Sequence, residues 1–270
     1  MTVLERILAR TRSDLAERVA RRPRRELERA VVPSDRSFFD ALGGPRQHQA
    51  GEVADGSCFG VPGPGLIAEF KPASPSRGAI RPDADPLRYA QAYGARAAAI
   101  SVLTEGPHFG GSHRLLEVFR GATSRPLLCK DFVVDPYQIV EARAHGADAV
   151  LLLASVHGVE ALRALLGEAR GLGMEALVEA HDEREIDAAL EAGARVIGVN
   201  ARDLRTLQVN PAGILPLLER IPRAARRVAE SGVAHRAQVE ALRGVADAVL
   251  IGTALMEAES PEGAMERLGW

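Results

Sequence analysis

The stretch Ile67-Ala-Glu-Phe-Lys-Pro-Ala-Ser-Pro-Ser-Arg-Gly78 organises the chain. Its apolar lead-in, Leu66-Ile67-Ala68, reads as a buried strand, which Pro72, Pro75 and Gly78 stop within a few residues. Glu69 and Lys71 are left at its end. Side chains alternate faces along a strand, so these two point the same way while Phe70 points to the other side. A carboxylate and an ammonium held together at the end of a buried strand are desolvated and paired, which is how an acid or base is tuned near neutral pH. An isolated Glu-x-Lys would be a structural ion pair. The rest of the chain decides against that reading.

Downstream of Gly65 a rhythm sets in. Short apolar, β-prone runs lie at Leu66–Phe70, Ala97–Leu103, Pro126–Lys130, Ala147–Leu153, Met174–Glu179, Val196–Asn200, Arg226–Glu230 and Ala246–Ile251. Between them stand Ala-, Leu-, Glu- and Arg-rich stretches with helical spacing, among them Pro86–Tyr93, Pro136–His145, Val159–Leu172, Glu183–Ala192 and Arg236–Leu242. Three helices are expected to end in one device, Tyr93-Gly94-Ala95, His145-Gly146-Ala147 and Ala192-Gly193-Ala194, where glycine turns the chain back in a left-handed conformation. Eight β/α units with near-continuously apolar strands fit a closed parallel (β/α)8 TIM barrel better than the alternative, an open doubly wound sheet. Ahead of the barrel, Val3, Leu4, Ile7, Leu8, Leu15 and Val19 recur at helical spacing and Pro23 breaks the run, so one or two amphipathic helices are expected. The expected organisation is an N-terminal helical extension over 1–45, an irregular Gly- and Pro-rich loop over 46–65 and the barrel over 66–270, together one structural domain.

Composition narrows the function. With 270 residues and 46% hydrophobic content, the chain can bury roughly three quarters of its unfolded surface. No apolar run approaches the ~20 residues of a membrane span. The start, Met-Thr-Val-Leu-Glu-Arg, lacks the apolar core and cleavage site of a signal peptide, so the expected location is cytoplasmic. Cys58 and Cys129 lie far apart with no Cys-x-x-Cys or Cys/His cluster, so neither a disulfide, a metal site nor a redox pair is expected. A formal charge of −2 exerts no global pull toward nucleic acid or membrane. Residues 1–30 carry nine arginines against five acids but no interleaved aromatics, which reads as a solvated helix face.

In such a barrel the active site lies at the C-terminal ends of the strands. Here those ends are polar: Glu69 and Lys71 on the first, Lys130-Asp131 on the third, Glu179 on the fifth, Asn200 on the sixth and Glu230-Ser231-Gly232 on the seventh. Burying each ion costs several kcal/mol unless it is paired, so a purely structural barrel has no reason to collect them on one rim. A lone lysine at a strand end commonly snorkels to solvent, and only the company of Lys130 argues otherwise. Glu230-Ser-Gly-Val233 and Leu250-Ile-Gly-Thr-Ala-Leu-Met256 place glycines and small hydroxyls after the last two strands, where helix N-terminal N–H groups suit a phosphate.

Read end to end, residues 66–256 resemble the indole-3-glycerol phosphate synthase family. The resemblance rests on Ile67–Gly78, Ser101-Val-Leu-Thr-Glu105, Phe109-Gly-Gly-Ser112, Cys129-Lys-Asp-Phe-Val-Val-Asp-Pro-Tyr-Gln-Ile139, Leu177-Val-Glu-Ala-His181, Gly198-Val-Asn-Ala-Arg-Asp-Leu204, Ala229-Glu-Ser-Gly232 and Leu250–Met256, in the family's order. Pro72, His108 and Ala201 depart from its usual residues without touching a catalytic position. The resemblance implies ring closure of 1-(2-carboxyphenylamino)-1-deoxyribulose 5-phosphate with loss of carbon dioxide and water, and no cofactor. It implies Lys130 as general acid, Lys71 held by Glu69 to orient the anthranilate carboxylate, and Glu179 as acid or base in the dehydration. Asn200, Glu230 and Ser231 would hold hydroxyl and amine groups, and Ser74, Gly232, Gly252 and Thr253 the phosphate. Phe109, Phe132, Leu151, Leu153, Leu204 and Leu207 would wall the aromatic ring, although ordinary barrel core accounts for these six nearly as well. The N-terminal helices would help cover the substrate. The implied partner is a small phosphorylated molecule, with neither nucleic acid nor membrane, and a monomer is favoured.

Two other classes use a similar set of residues. A Schiff-base aldolase would attack a sugar-phosphate carbonyl with Lys130 or Lys71. A phosphate-ligand sensor would bind nucleic acid through its arginine-rich N-terminal helix.

Overall fold

A computed structural model describes residues 2–43, 63–203 and 206–270 of the chain. Each apolar run forms a strand: β1 (Gly65–Phe70), β4 (Ala99–Leu103), β5 (Leu127–Lys130), β6 (Ala149–Leu153), β7 (Glu175–Ala180), β8 (Val196–Asn200), β9 (Arg226–Glu230) and β10 (Ala248–Ile251). A small antiparallel hairpin, β2 (Ala73–Ser74) with β3 (Gly78–Ala79), lies in the connection after β1. The eight long strands run parallel in chain order and close, β1 pairing with β10 on one side and β4 on the other. The expected (β/α)8 TIM barrel is therefore the fold.

Helices α1 (Val3–Arg21), α2 (Arg24–Ala30) and α3 (Phe38–Gly43) precede the barrel. Then α4 (Pro86–Arg96), α5 (His113–Ala122), α6 (Pro136–Ala144), α7 (Val159–Gly171), α8 (Glu183–Ala192), α9 (Ile214–Arg220), α10 (Arg236–Ala241), α11 (Thr253–Met256) and α12 (Pro261–Leu268) follow the strands. Local chemistry sets their starts. Asp85, Asp135 and Asp182 each accept a backbone N–H of the first turn, and proline opens α4 and α6 where its missing N–H costs nothing.

Strand periodicity divides the core in two. Ile67, Leu128, Leu151, Leu177, Val228 and Leu250 point into the barrel, whereas Leu66, Phe70, Val102, Cys129, Val150 and Val178 face the surrounding helices. Helix α3 closes the N-terminal end: Phe38 and Leu42 join the inner cluster, and the Arg226 guanidinium stacks 4.4 Å from the Phe39 ring centroid. Helix α1 leans over the opposite end, sending Leu4 and Ile7 into the same inner cluster. It is fastened by Leu15, which clusters with Leu27, Tyr137 and Val140, and by an Arg18–Glu141 ion pair of 2.8 Å. Val19, expected on the apolar stripe, is 38% exposed instead of buried.

The helix ends divide into two kinds. Gly146 and Gly193 do turn the chain with φ of 97° and 88°. Gly94 does not, because α4 continues to Arg96. A Cβ at Gly94 would come within 2.6 Å of Thr123 Oγ1, so this glycine permits close packing rather than a turn. Residues 44–62, which hold most of the expected irregular loop and Cys58, lie outside the described residues.

Candidate active site

The alternation that packs the barrel also places its charges. Two residues beyond inward-facing Ile67 comes Glu69, and the same step leads from Leu128 to Lys130, from Leu177 to Glu179 and from Val228 to Glu230. Each is the last inward position of its strand, so four strands deliver ionisable groups to one level of the C-terminal mouth. Lys130 Nζ lies 2.7 Å from Glu230 Oε2 and 3.1 Å from Glu179 Oε2. Lys71 Nζ lies 2.7 Å from Glu69 Oε1, and Ser101 Oγ donates to Glu69 Oε2 at 3.3 Å. The three glutamate side chains are only 2–3% exposed and Lys130 13%, so these are desolvated pairs rather than surface ones.

That crowding sets the protonation states. Burial alone would lower the Lys130 pKa, but the carboxylates of Glu230, Glu179 and Glu69 outweigh it and hold the ammonium above its ordinary value. Burial would raise Glu69 and Glu179, yet Lys71 and Lys130 pull Glu69 down, and Lys130 and His181 pull Glu179 down. Glu230 goes the other way, raised to about 7 by burial and by the facing Glu179 charge against the pull of Lys130. The ring thus holds a permanent acid, two ionised carboxylates and one carboxyl poised near neutrality.

One cavity at the mouth takes in all seven residues expected to act on substrate: Glu69, Lys71, Lys130, Glu179, Asn200, Glu230 and Ser231. Ser74, Gly232, Gly252 and Thr253, from the connections after β1, β9 and β10, line the same cavity. Closure of the sheet makes neighbours of these segments, which are far apart in sequence. Ser231 has φ of 64°, a left-handed conformation unusual for a side-chain-bearing residue and typical of functional turns. Of the expected apolar wall, Phe109, Phe132, Leu151 and Leu207 line the cavity, and the rings of Phe109 and Phe132 pack 6.1 Å apart. Leu153 is buried in the inner cluster but is not among the lining residues, and Leu204 lies outside the described residues. Phe109 is aimed by Glu105, whose Oε2 accepts the N–H groups of His108 and Phe109 while its Oε1 meets His108 Nδ1 at 2.6 Å.

Sequence reasoning missed several contributors. Arg202 forms part of the cavity wall, as do Val3, Leu4 and Ile7, residues of the N-terminal helix that the sequence reading places over the substrate without singling them out. Gly198 faces inward between Val196 and Asn200, and a Cβ there would lie 2.0 Å from Glu230 Oε1. Gly252 plays the same part beside the other pair, where a Cβ would meet Glu69 Oε1 at 2.4 Å and Lys71 Nζ at 3.0 Å. His181, directly after β7, sets its Nε2 3.5 Å from Glu179 Oε1. On the outer face of β5, the fold brings together a group that no sequence spacing reveals: donor atoms of His113, Cys129 and Asp131 lie within 4.8 Å of one another. Thr104 Oγ1 donates to Asp131 Oδ2 at 2.9 Å and lies 3.2 Å from Cys129 Sγ, while the Phe132 N–H donates to Asp131 Oδ1. Burial holds the Cys129 thiol well above its usual pKa, so it sits there as a packed neutral group.

Comparison with known proteins identifies the family. The family model described as indole-3-glycerol phosphate synthase matches residues 4–268, nearly the whole chain. A Mycobacterium ulcerans protein named indole-3-glycerol phosphate synthase is 45% identical over 271 residues, 99% of this chain and 93% of the relative. A namesake from Mycobacteroides abscessus is 51% identical over 211 residues, 77% of each chain, and one from Saccharopolyspora erythraea 43% identical over 272 residues, covering 99% and 95%. The match spans the strand ends that carry the charged ring as well as the helices that close the barrel, and the chain belongs to the indole-3-glycerol phosphate synthase family.

Proposed function

We propose that this protein closes the indole ring of 1-(2-carboxyphenylamino)-1-deoxyribulose 5-phosphate, releasing carbon dioxide and water, as a step of tryptophan biosynthesis. The observation that carries the reading is Lys130, a buried ammonium gripped by Glu179 and Glu230 at the mouth of a barrel of this family. Ring closure needs a proton on the ribulose carbonyl oxygen as the aromatic carbon attacks. With its pKa raised, Lys130 always has that proton, but it releases it only when the negative charge around it falls. Glu230 supplies the means: raised to about 7, it takes up a proton readily and so loosens its hold on the ammonium. Lys71, fixed by Glu69, faces the substrate carboxylate that leaves as carbon dioxide. Glu179, ionised, accepts the ring proton during dehydration.

Substrate shape fits the remaining lining. Ser74, Gly232, Gly252 and Thr253 receive the phosphate, with backbone N–H groups and two hydroxyls suited to an anion. Phe109, Phe132, Leu151 and Leu207, with Leu4 and Ile7 of α1, offer the aromatic ring its apolar surface. Asn200 and Ser231 reach the hydroxyl-bearing part. The division into a covering extension over 1–45, a connecting stretch over 46–65 and a catalytic barrel over 66–270 belongs to the same reading, as do action as a monomer and a cytoplasmic location. Among the described residues no helix is long and apolar enough to cross a membrane. Several N-terminal arginines are already paired, Arg10 with Asp14, Arg18 with Glu141 and Arg24 with Glu28 and Glu168, which favours a structural face over a nucleic-acid patch. The test is direct. Purified protein given the carboxyphenylamino sugar phosphate should generate indole fluorescence, and a folded protein that generates none would overturn the reading.

A further inference from the structure

Two buried polar atoms at the mouth face each other without a hydrogen-bond partner, Glu179 Oε1 and His181 Nε2, 3.5 Å apart. His181 follows β7 by one residue, and continuing the strand's alternation brings it to the side of Glu179. Its other ring nitrogen, Nδ1, lies 3.0 Å from Glu185 Oε2 in the first turn of α8, and the same oxygen accepts the His181 backbone N–H at 2.8 Å. Glu185 is itself fixed, since its own N–H donates to the helix-capping Asp182 at 2.9 Å.

The hydrogen-bond inventory determines the ring's state. A carboxylate only accepts, so the contact with Glu185 requires a proton on Nδ1. A neutral imidazole would then aim the lone pair of Nε2 at a second carboxylate oxygen. Only the imidazolium, a donor at both nitrogens, satisfies both sides. The ionised Glu179 carboxylate, 3.5 Å from Nε2, adds the second negative charge that favours the imidazolium. Burial by itself would lower the His181 pKa, but the Glu185 hydrogen bond and the charges of Glu179, Glu185 and Glu230 raise it to about 9.

We propose that His181 is a positioning residue that, held by Glu185, keeps Glu179 ionised and aimed into the mouth. The imidazolium acts through Glu179 and touches no reacting atom. This rests on the proposed role of Glu179 as the base of the dehydration. One charge at this range shifts a carboxylate pKa by about 1–3 units, so losing the imidazolium should raise the Glu179 pKa by that order.

The test uses wild type, His181→Gln and Glu185→Gln, with two readouts. Nitrogen chemical shifts of the imidazole, which do not depend on the reaction, should show both His181 nitrogens protonated at pH 7 in wild type and proton loss at lower pH in Glu185→Gln. In kcat profiles, His181→Gln should move the acid limb upward by about 1–3 pH units, with kcat falling far more than KM rises. Glu185→Gln, which retains the ring, should bring the basic limb down from near 9. A neutral His181 in wild type at pH 7 would overturn the proposal, as would an acid limb that stays in place when His181 is replaced in active, folded enzyme. Should His181→Gln fail to fold, the shifts and profile of Glu185→Gln decide. If wild type turns nothing over, the function reading fails while the nitrogen shifts still judge the proton placement.

Discussion

Gly198→Ala adds one methyl group, yet it should cripple the enzyme. The new Cβ would lie 2.0 Å from Glu230 Oε1 and 3.1 Å from both Glu230 Cδ and Leu177 Cδ1. Real Cβ contacts essentially never fall below 3.0 Å, so the Glu230 carboxylate must retreat by about 1 Å or the strand must shift. Glu230 has little freedom, being buried, 2.7 Å from Lys130 and on the strand that pairs Gly198 with Val228. A displacement of this size at a reacting constellation costs about 10²-fold in rate. The expected kcat is therefore lower by about that factor, with KM much less affected. Stability should fall by ~1–3 kcal/mol, as for ordinary overpacking of a core, because Glu230 can take a proton rather than stay an unpaired charge. Indole fluorescence yields kcat and KM, and denaturant unfolding yields stability. In a Glu230→Ala background the alanine should add no further loss of rate, since the group it displaces is gone. Wild-type kcat in Gly198→Ala, or full additivity of the two changes, would refute the reasoning.

Other perturbations probe separate parts of the account. Cys129 faces the helices while Lys130 faces the barrel, so Cys129→Ala should cost ~1–3 kcal/mol of stability in a denaturant titration and leave kcat unchanged; a lost rate without lost stability would mean the strand alternation is misread. Gly232→Asp should raise KM much more than it lowers stability, by setting a carboxylate where the phosphate is proposed to sit; Gly232 has φ of 77°, which aspartate tolerates better than most residues. Unchanged KM would move the phosphate elsewhere. His113 is held neutral, its pKa pushed down to about 3 chiefly by burial and also by Arg18 and His145. Because the unfolded imidazole binds its proton near 6.5, this group's stabilisation is complete above pH 6.5 and drains away as pH falls toward 3. Unfolding free energies at pH 7 and 4.5 should therefore differ less in His113→Gln than in wild type, and an equal difference would remove the histidine from the acid response.

Much of the barrel was legible because its signals are local. A strand buried on both sides is a short apolar run, and each of the eight runs matches a strand, with bounds that differ by one or two residues at β1, β4, β5, β6, β7 and β10. Three of the early starts share a cause: Ala97, Ala147 and Met174 are apolar but donate their N–H groups to the preceding helix rather than to a strand. The ionisable mouth was legible for the same reason, since a charged residue ending an apolar strand has only the rim to occupy. Gly198 was not legible, because its need for space is imposed by Glu230 from the neighbouring strand, and a glycine inside an apolar run reads the same whether or not anything approaches it. Gly94 departs from the expected helix stop because the space beside it is occupied by Thr123 from a distant segment, which the local Tyr-Gly-Ala pattern does not carry. His181 could have been found. Counting two residues past Glu179 puts it on the same side, although β7 ends one residue earlier, at Ala180.

In the proposed mechanism the Lys130 ammonium, clasped by Glu179 and Glu230, is the acid that drives ring closure. Single-turnover kinetics of Lys130→Ala at saturating substrate tests it most directly, with circular dichroism and thermal melting to establish that the barrel is intact. The variant should fold and still bind substrate while its rate constant falls by about 10²–10⁴-fold. A folded Lys130→Ala enzyme that closes the ring at the wild-type rate would contradict it.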